Sequence, residues 1–213
     1  MRAVVFAGPS IDAATVAGIA PVELRPPVMR GDVDALLAEP EPVTHIGIVD
    51  GGFLQGLMIS PKELMRALDG RNPVKLFGSS SIGALRAVEL ADWGMTGVGR
   101  IYEMYRSGQV DEDDEVAITY DPDSLRALCE PMVNIRIAIE AALAEKVVDA
   151  TAAETVIAIA KEFYFPDRTY DRILRAVPEA AGVDVPALRE FLATRAPDAK
   201  REDAIRLLRH MMN

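Results

Sequence analysis

Apolar residues are spaced differently in the two halves of the chain. In the first half they form short continuous runs, from Arg2 to Ala7, His45 to Val49 and Val74 to Phe77, each closed by a glycine or an aspartate. Such runs, bounded by turn residues and rich in Val, Ile and Phe, are the pattern of strands buried on both faces, as in a parallel sheet. Pro21 to Leu24 adds a shorter candidate strand. Helical segments are expected between them: an Ala-rich stretch after Gly8-Pro9-Ser10, Val33 to Ala38 capped by Asp32, a helix opened by Ser60-Pro61-Lys62-Glu63, and Ala84 to Leu90. A further short helix, Arg100 to Ser107, ends at Gly108.

From Asp123 onward the period becomes helical. Proline, glycine and aspartate separate helices expected over Ser124 to Glu130, Met132 to Lys146, Ala152 to Tyr164, Tyr170 to Val177, Pro186 to Arg195 and Asp198 to His210. The expected class is α/β: a mostly parallel open sheet in residues 1–122, followed by an all-helical C-terminal subdomain in residues 123–213.

Composition narrows the function classes. A chain of 213 residues, half of them hydrophobic, buries a substantial core. Its net charge of −10 argues against nucleic acid and anionic lipid as partners. No apolar stretch approaches the roughly 18 to 20 residues of a membrane span, so a soluble, cytoplasmic protein is expected. The single cysteine, Cys129, forms no internal disulfide and sits in an apolar pattern as a small buried side chain. The acidic run Asp111-Glu112-Asp113-Asp114-Glu115 lacks the spacing of a metal loop. It is expected as a solvated turn, with one or two carboxylates bonding nearby N–H groups or Arg86. No metal or other cofactor is expected, and neither His45 nor His210 is given a role.

The candidate chemistry lies between Val74 and Leu90, which reads as strand, tight turn and helix. Ser79-Ser80-Ser81-Ile82-Gly83 has the small-x-Ser-x-small form of a nucleophile elbow, where small neighbours leave room for a sharp turn. The same Ser81 also suits a helix cap or an anion site at a helix N-terminus. Two other turns leave apolar strands at the edge where α/β sheets bind ligands: Gly8-Pro9-Ser10, and Asp50-Gly51-Gly52-Phe53. Ser60-Pro61-Lys62-Glu63 reads as a capping box with Lys62 at the second helical position. A cation there faces the positive end of the helix dipole, which favours its neutral, basic form.

Taken in order, these segments resemble the TfuA-like family: Gly8-Pro9-Ser10, Pro27 with Arg30-Gly31-Asp32, Asp50-Gly51-Gly52-Phe53, Lys62-Glu63, Ser81 to Ala87 with Glu89, Gly94-Met95 with Gly97-Val98-Gly99, and Asp113 to Ala117. Asn134-Ile135-Arg136 and Arg168-Thr169-Tyr170 extend the likeness. The resemblance implies an accessory protein of YcaO-type enzymes, which convert a peptide backbone amide into a thioamide. It implies cleavage of a thiocarboxylate at the C-terminus of a small ThiS-like carrier by a serine and a lysine, falling here on Ser81 and Lys62. The YcaO partner, the carrier and a precursor peptide are the implied partners. Where the family often has a histidine before the lysine, this chain has Pro61. Backbone groups of Ile82, Gly83 and Ser10 are the expected oxyanion loop. Asp50, Gly51, Arg86, Glu89 and Arg30 are expected to orient the pair or grip the substrate. The alternatives are a non-catalytic adaptor that binds the YcaO enzyme and its peptide, with Ser81 as a cap, and a nucleotide or phosphate binder with Gly8-Pro9-Ser10 and Gly78 to Gly83 as anion loops.

Overall fold

The computed structural model describes residues 2–53, 57–69 and 74–213. Five strands, β1 (Ala3–Phe6), β2 (Glu23–Arg25), β3 (His45–Ile48), β4 (Lys75–Ser79) and β5 (Thr96–Val98), form one sheet in the order β2-β1-β3-β4-β5, every pairing parallel. This is a doubly wound order: the chain leaves β1 toward one edge and returns through β3 toward the other. A crevice therefore opens between the C-terminal ends of β1 and β3, where sheets of this kind hold ligands. The α/β expectation holds. β5 was not anticipated, because its three residues lie among Gly94, Gly97 and Gly99, which read as a turn.

The helices of this unit are α1 (Ala13–Ile19), α2 (Asp32–Leu37), α3 (Pro61–Asp69), α4 (Ile82–Glu89), α5 (Arg100–Arg106) and, from the far end of the chain, α10 (Ala199–Met211). Alternation along β1 sends Ala3 and Val5 to the face where Val16 of α1 and Ala204, Leu207, Leu208 and Met211 of α10 form an apolar cluster with Phe77. Gly47 lets α10 lie close, since a Cβ there would stand 2.7 Å from Met211 Sδ. On the other face α4 meets β4 backbone to backbone. A Cβ on Gly78 would lie 2.1 Å from Gly83 O, and one on Gly83 would lie 1.8 Å from Ile48 O. These two glycines seat the start of α4 against the ends of β3 and β4.

The capping box forms by half. Ser60 Oγ accepts from Glu63 N–H at 3.3 Å, but the buried Glu63 carboxylate turns away and accepts from the Gly31 and Val33 N–H groups at 3.0 Å. The reason lies in α2, whose N-cap is Gly31 at φ 96° and so supplies no side-chain cap of its own. Asp32, expected as that cap, is the first residue of α2 and accepts from Met29 N–H instead.

By internal contacts, residues 1–113 and 200–213 form one unit and residues 114–199 a second. The second unit contains α6 (Met132–Ala144), α7 (Ala150–Glu162), α8 (Tyr170–Ala176) and α9 (Val185–Thr194), around Ile135, Ile139, Val156, Leu188 and Phe191. It is therefore an insertion between α5 and α10, and α10 is read with the sheet rather than with the helices of the expected 123–213 subdomain. The acidic run is not a wholly solvated turn. Glu115 is buried and paired with Arg136 and Lys161 at 2.8 and 2.9 Å, while Asp114 pairs with Lys161 and with the buried Arg168. The helix expected over 124–130 is absent: Asp121 Oδ1 accepts from Ser124 N–H, Leu125 has φ 56°, and Tyr120 forms a bridge with Ala127. Asp121 binds the local backbone better than a helix would. Cys129 is buried, its Sγ accepting from Thr119 N–H at 3.1 Å. Among the described residues no helix is long and apolar enough to cross a membrane, and no cluster of metal ligands is found.

Candidate active site

The site begins at the turn that follows β4. Ser81 N–H donates to Ser79 O at 2.7 Å, closing a three-residue turn whose centre, Ser80, has φ 66°. This is the γ-turn of positive φ, the rare and strained form. Ser81 then holds the N-cap position of α4, but its side chain makes no capping bond. Its Oγ accepts a hydrogen bond from Lys200 Nζ at 3.0 Å. The cap reading of Ser81 therefore loses its hydroxyl to a lysine 119 residues away.

Lys200 is the residue at this site that sequence reasoning missed. It stands at the second position of α10, as Lys62 stands at the second position of α3. Both carry the same electrostatic signature, and the fold separates them: Lys62 is exposed, whereas Lys200 is 3% exposed and Ser81 1%. The lysine that reaches Ser81 is Lys200, not Lys62.

The C-terminal ends of β1 and β3 supply the rest. Asp50, directly after Val49 at the end of β3, is buried. Its Oδ2 accepts from Gly8 N–H and Ser10 N–H, both at 2.9 Å, and its Oδ1 accepts from Ser10 Oγ at 2.6 Å. The same Oδ1 lies 3.8 Å from Lys200 Nζ. Ser10, Asp50, Lys200 and Ser81 thus form one buried chain of polar groups at the crevice. The Lys200 amine is thus buried at the start of α10, between the Asp50 carboxylate and the Ser81 hydroxyl.

The remaining candidates divide. Ile82 N–H has no acceptor among the described residues and sits beside Ser81, where an oxyanion would need a donor. Gly83 N–H is engaged by Val49 O at 3.3 Å, and Ser10 N–H by Asp50, so neither is an open donor. Gly51 bridges to Val28, whose carbonyl would meet a Cβ at 2.6 Å. Arg86 is buried and donates to Ile59 O at 3.0 Å and to both Glu89 carboxylate oxygens at 2.7 Å. This pair ties α4 to the segment that precedes α3. Arg30 is exposed, and its N–H donates to Leu57 O at 2.8 Å. Arg86 and Glu89 therefore bond to each other and to Ile59 rather than to Ser81, and Arg30 is held through its backbone. Of the turn Asp50-Gly51-Gly52-Phe53, the residues that follow at 54–56 lie outside the described residues.

A second buried carboxylate fixes α10. Asp203 accepts from Ile101 N–H at 2.7 Å and Arg100 N–H at 2.9 Å, filling the N-terminus of α5, which Gly99 opens at φ 104°. Burial pushes the Asp203 carboxyl above the usual carboxylate range in spite of those donors.

No curated protein matches this chain. A family model described as TfuA-like protein matches residues 50–169, a span that holds Asp50, Lys62, Ser81, Arg86 and Glu89 and leaves Ser10 and Lys200 outside it. That span is more than half of the sequence, and with the ordered motifs of the first strands and turns it places this chain in the TfuA-like family.

Proposed function

We propose that this protein releases sulfide from a thiocarboxylated ThiS-like carrier protein for a YcaO-type enzyme, with Ser81 as nucleophile and Lys200 as its base. The observation that carries the reading is the 3.0 Å hydrogen bond from Lys200 Nζ to Ser81 Oγ, within the reach required of a nucleophile and its base.

The chemistry balances without a cofactor. The neutral amine of Lys200 takes the Ser81 proton as Oγ attacks the thiocarboxylate carbon, and Ile82 N–H faces the oxyanion. The C–S bond breaks, the lysine proton goes to the departing sulfur, and an acyl-serine remains. Water then attacks the ester, again through Lys200, to restore Ser81. The sum is thiocarboxylate plus water giving carboxylate plus hydrogen sulfide. Asp50, held by Ser10 and the Gly8 loop, keeps Lys200 aimed at Ser81. The burial of both partners suits a substrate that enters as a thin, extended chain end rather than as a side chain on a folded surface.

The same burial favours the one competing reading, an adaptor in which Ser81 and Lys200 lock α10 in place and no hydrolysis occurs. Intact-mass analysis of a thiocarboxylated carrier separates the two. Conversion to carboxylate by the wild type and the Lys62→Ala variant, but not by Ser81→Ala or Lys200→Ala, is the expected result. Equal conversion in all four, or none in any, would leave the adaptor.

A further inference from the structure

Three consecutive serines, Ser79, Ser80 and Ser81, are 0%, 0% and 1% exposed, and each hydroxyl meets α10. Ser79 Oγ donates to Val98 O at 2.7 Å and to Asp203 O at 3.0 Å. Ser80 Oγ donates to Lys200 O at 2.8 Å, and Ser81 Oγ accepts from Lys200 Nζ at 3.0 Å. Lys200 is therefore held at both ends by adjacent residues, its carbonyl by Ser80 and its side-chain nitrogen by Ser81.

Ser80 holds this position against its own backbone preference. Its φ of 66° lies in the left-handed region, which costs a side-chain-bearing residue roughly 1–2 kcal/mol. Glycine would make the same turn without that cost and without a hydroxyl. A turn that had only to be tight would be served better by glycine; what serine adds is the donor to Lys200 O.

We infer that Ser80 is a positioning residue for Lys200: its hydroxyl anchors the first turn of α10 and thereby sets the amine on Ser81, at the expense of a strained turn. The inference rests on the reading of Ser81 as nucleophile and Lys200 as base. Asp50, across the crevice, and Asp203, on the same helix, are the charged groups named above that act on this turn of α10.

The test compares the full-length wild type with Ser80→Gly and Ser80→Ala. It uses the rate at which a fluorophosphonate phosphonylates Ser81, with loss of fluoride, located by peptide mass, together with melting temperature. Ser80→Gly is expected to melt at or above the wild-type temperature and yet to label ten- to a hundredfold more slowly, the scale of a misplaced catalytic group. Its pH–rate profile is expected to differ from that of the wild type, because the amine no longer sits where Ser80 holds it. Ser80→Ala keeps the strain and loses the donor, so it is expected to label as slowly and to melt lower than Ser80→Gly. Wild-type labelling rate and pH profile in Ser80→Gly would overturn the inference while leaving the dyad standing. A melting temperature below that of Ser80→Ala would overturn the strain argument. No labelling of Ser81 in the wild type would overturn the dyad, and the inference with it.

Discussion

Two lysines occupy the same position in two helices, and substitution separates them. Lys200→Ala is expected to lower hydrolysis or Ser81 acylation by about a hundredfold or more, the usual range for a lost general base, and Lys62→Ala to leave the rate within about twofold. A comparable loss in both variants, read in the same assay, would mean that a movement brings Lys62 to the serine. Asp50→Asn removes a negative charge 3.8 Å from Lys200 Nζ while keeping an oxygen acceptor for the Gly8 loop. The variant is expected to slow Ser81 labelling, because it loosens the group that holds Lys200 Nζ against Ser81; an unchanged rate would count against that role for Asp50. Among these residues Ser81 and Asp50 were legible beforehand, since a serine after a strand and an acid at a strand end are local patterns. Lys200 was not, because nothing in Ala199-Lys200-Arg201-Glu202 distinguishes a buried amine from a solvated one.

At the scale of elements, α4 and the charged cluster of the helical unit carry the clearest expectations. Gly83→Ala would drive a Cβ to 1.8 Å from Ile48 O, a backbone atom fixed in the sheet. A destabilisation of about 3 kcal/mol or more, at the top of the range for overpacking, is expected from urea unfolding. In the helical unit, burial opposes ionisation of Glu115, yet hydrogen bonds from Arg136 and Lys161 outweigh it and hold the carboxyl below the usual glutamate range. A depressed native value means that the native state binds the proton less readily than the unfolded chain. The contribution is present above the unfolded glutamate value and is lost as pH falls through the native one. Glu115→Gln is expected to cost about 2–3 kcal/mol near neutrality, below the figure for a fully buried pair because Arg136 and Lys161 are 28% and 30% exposed. The difference from wild type is expected to shrink in urea titrations carried out at acid pH; a constant difference would refute the linkage. The strand runs and most helices were readable because period and caps are local. The stretch 124–130 misled because its apolar spacing suits a helix while Asp121 binds the backbone of a turn.

For the molecule as a whole, the path of the chain matters most. Residues 114–199 are inserted before α10, which then packs on the sheet through Ala204, Leu207, Leu208 and Met211. Leu207 is fully buried, and Leu207→Ala is expected to cost about 2–5 kcal/mol in chemical denaturation and to slow Ser81 acylation as well, since α10 carries Lys200, the proposed base. A destabilised variant with wild-type labelling would count against α10 as the source of that base. The sequence by itself determined the parallel α/β class, the helical second half, the turn that presents Ser81 and the acid at the end of β3, because each follows from contacts between near neighbours in the chain. Only the tertiary structure decided which lysine meets the serine, that Ser10 and Asp50 join it, and that the last helix belongs to the sheet. Those choices depend on which apolar faces pack together across more than a hundred residues, and burial alone then makes one of two equivalent lysines a partner for Ser81.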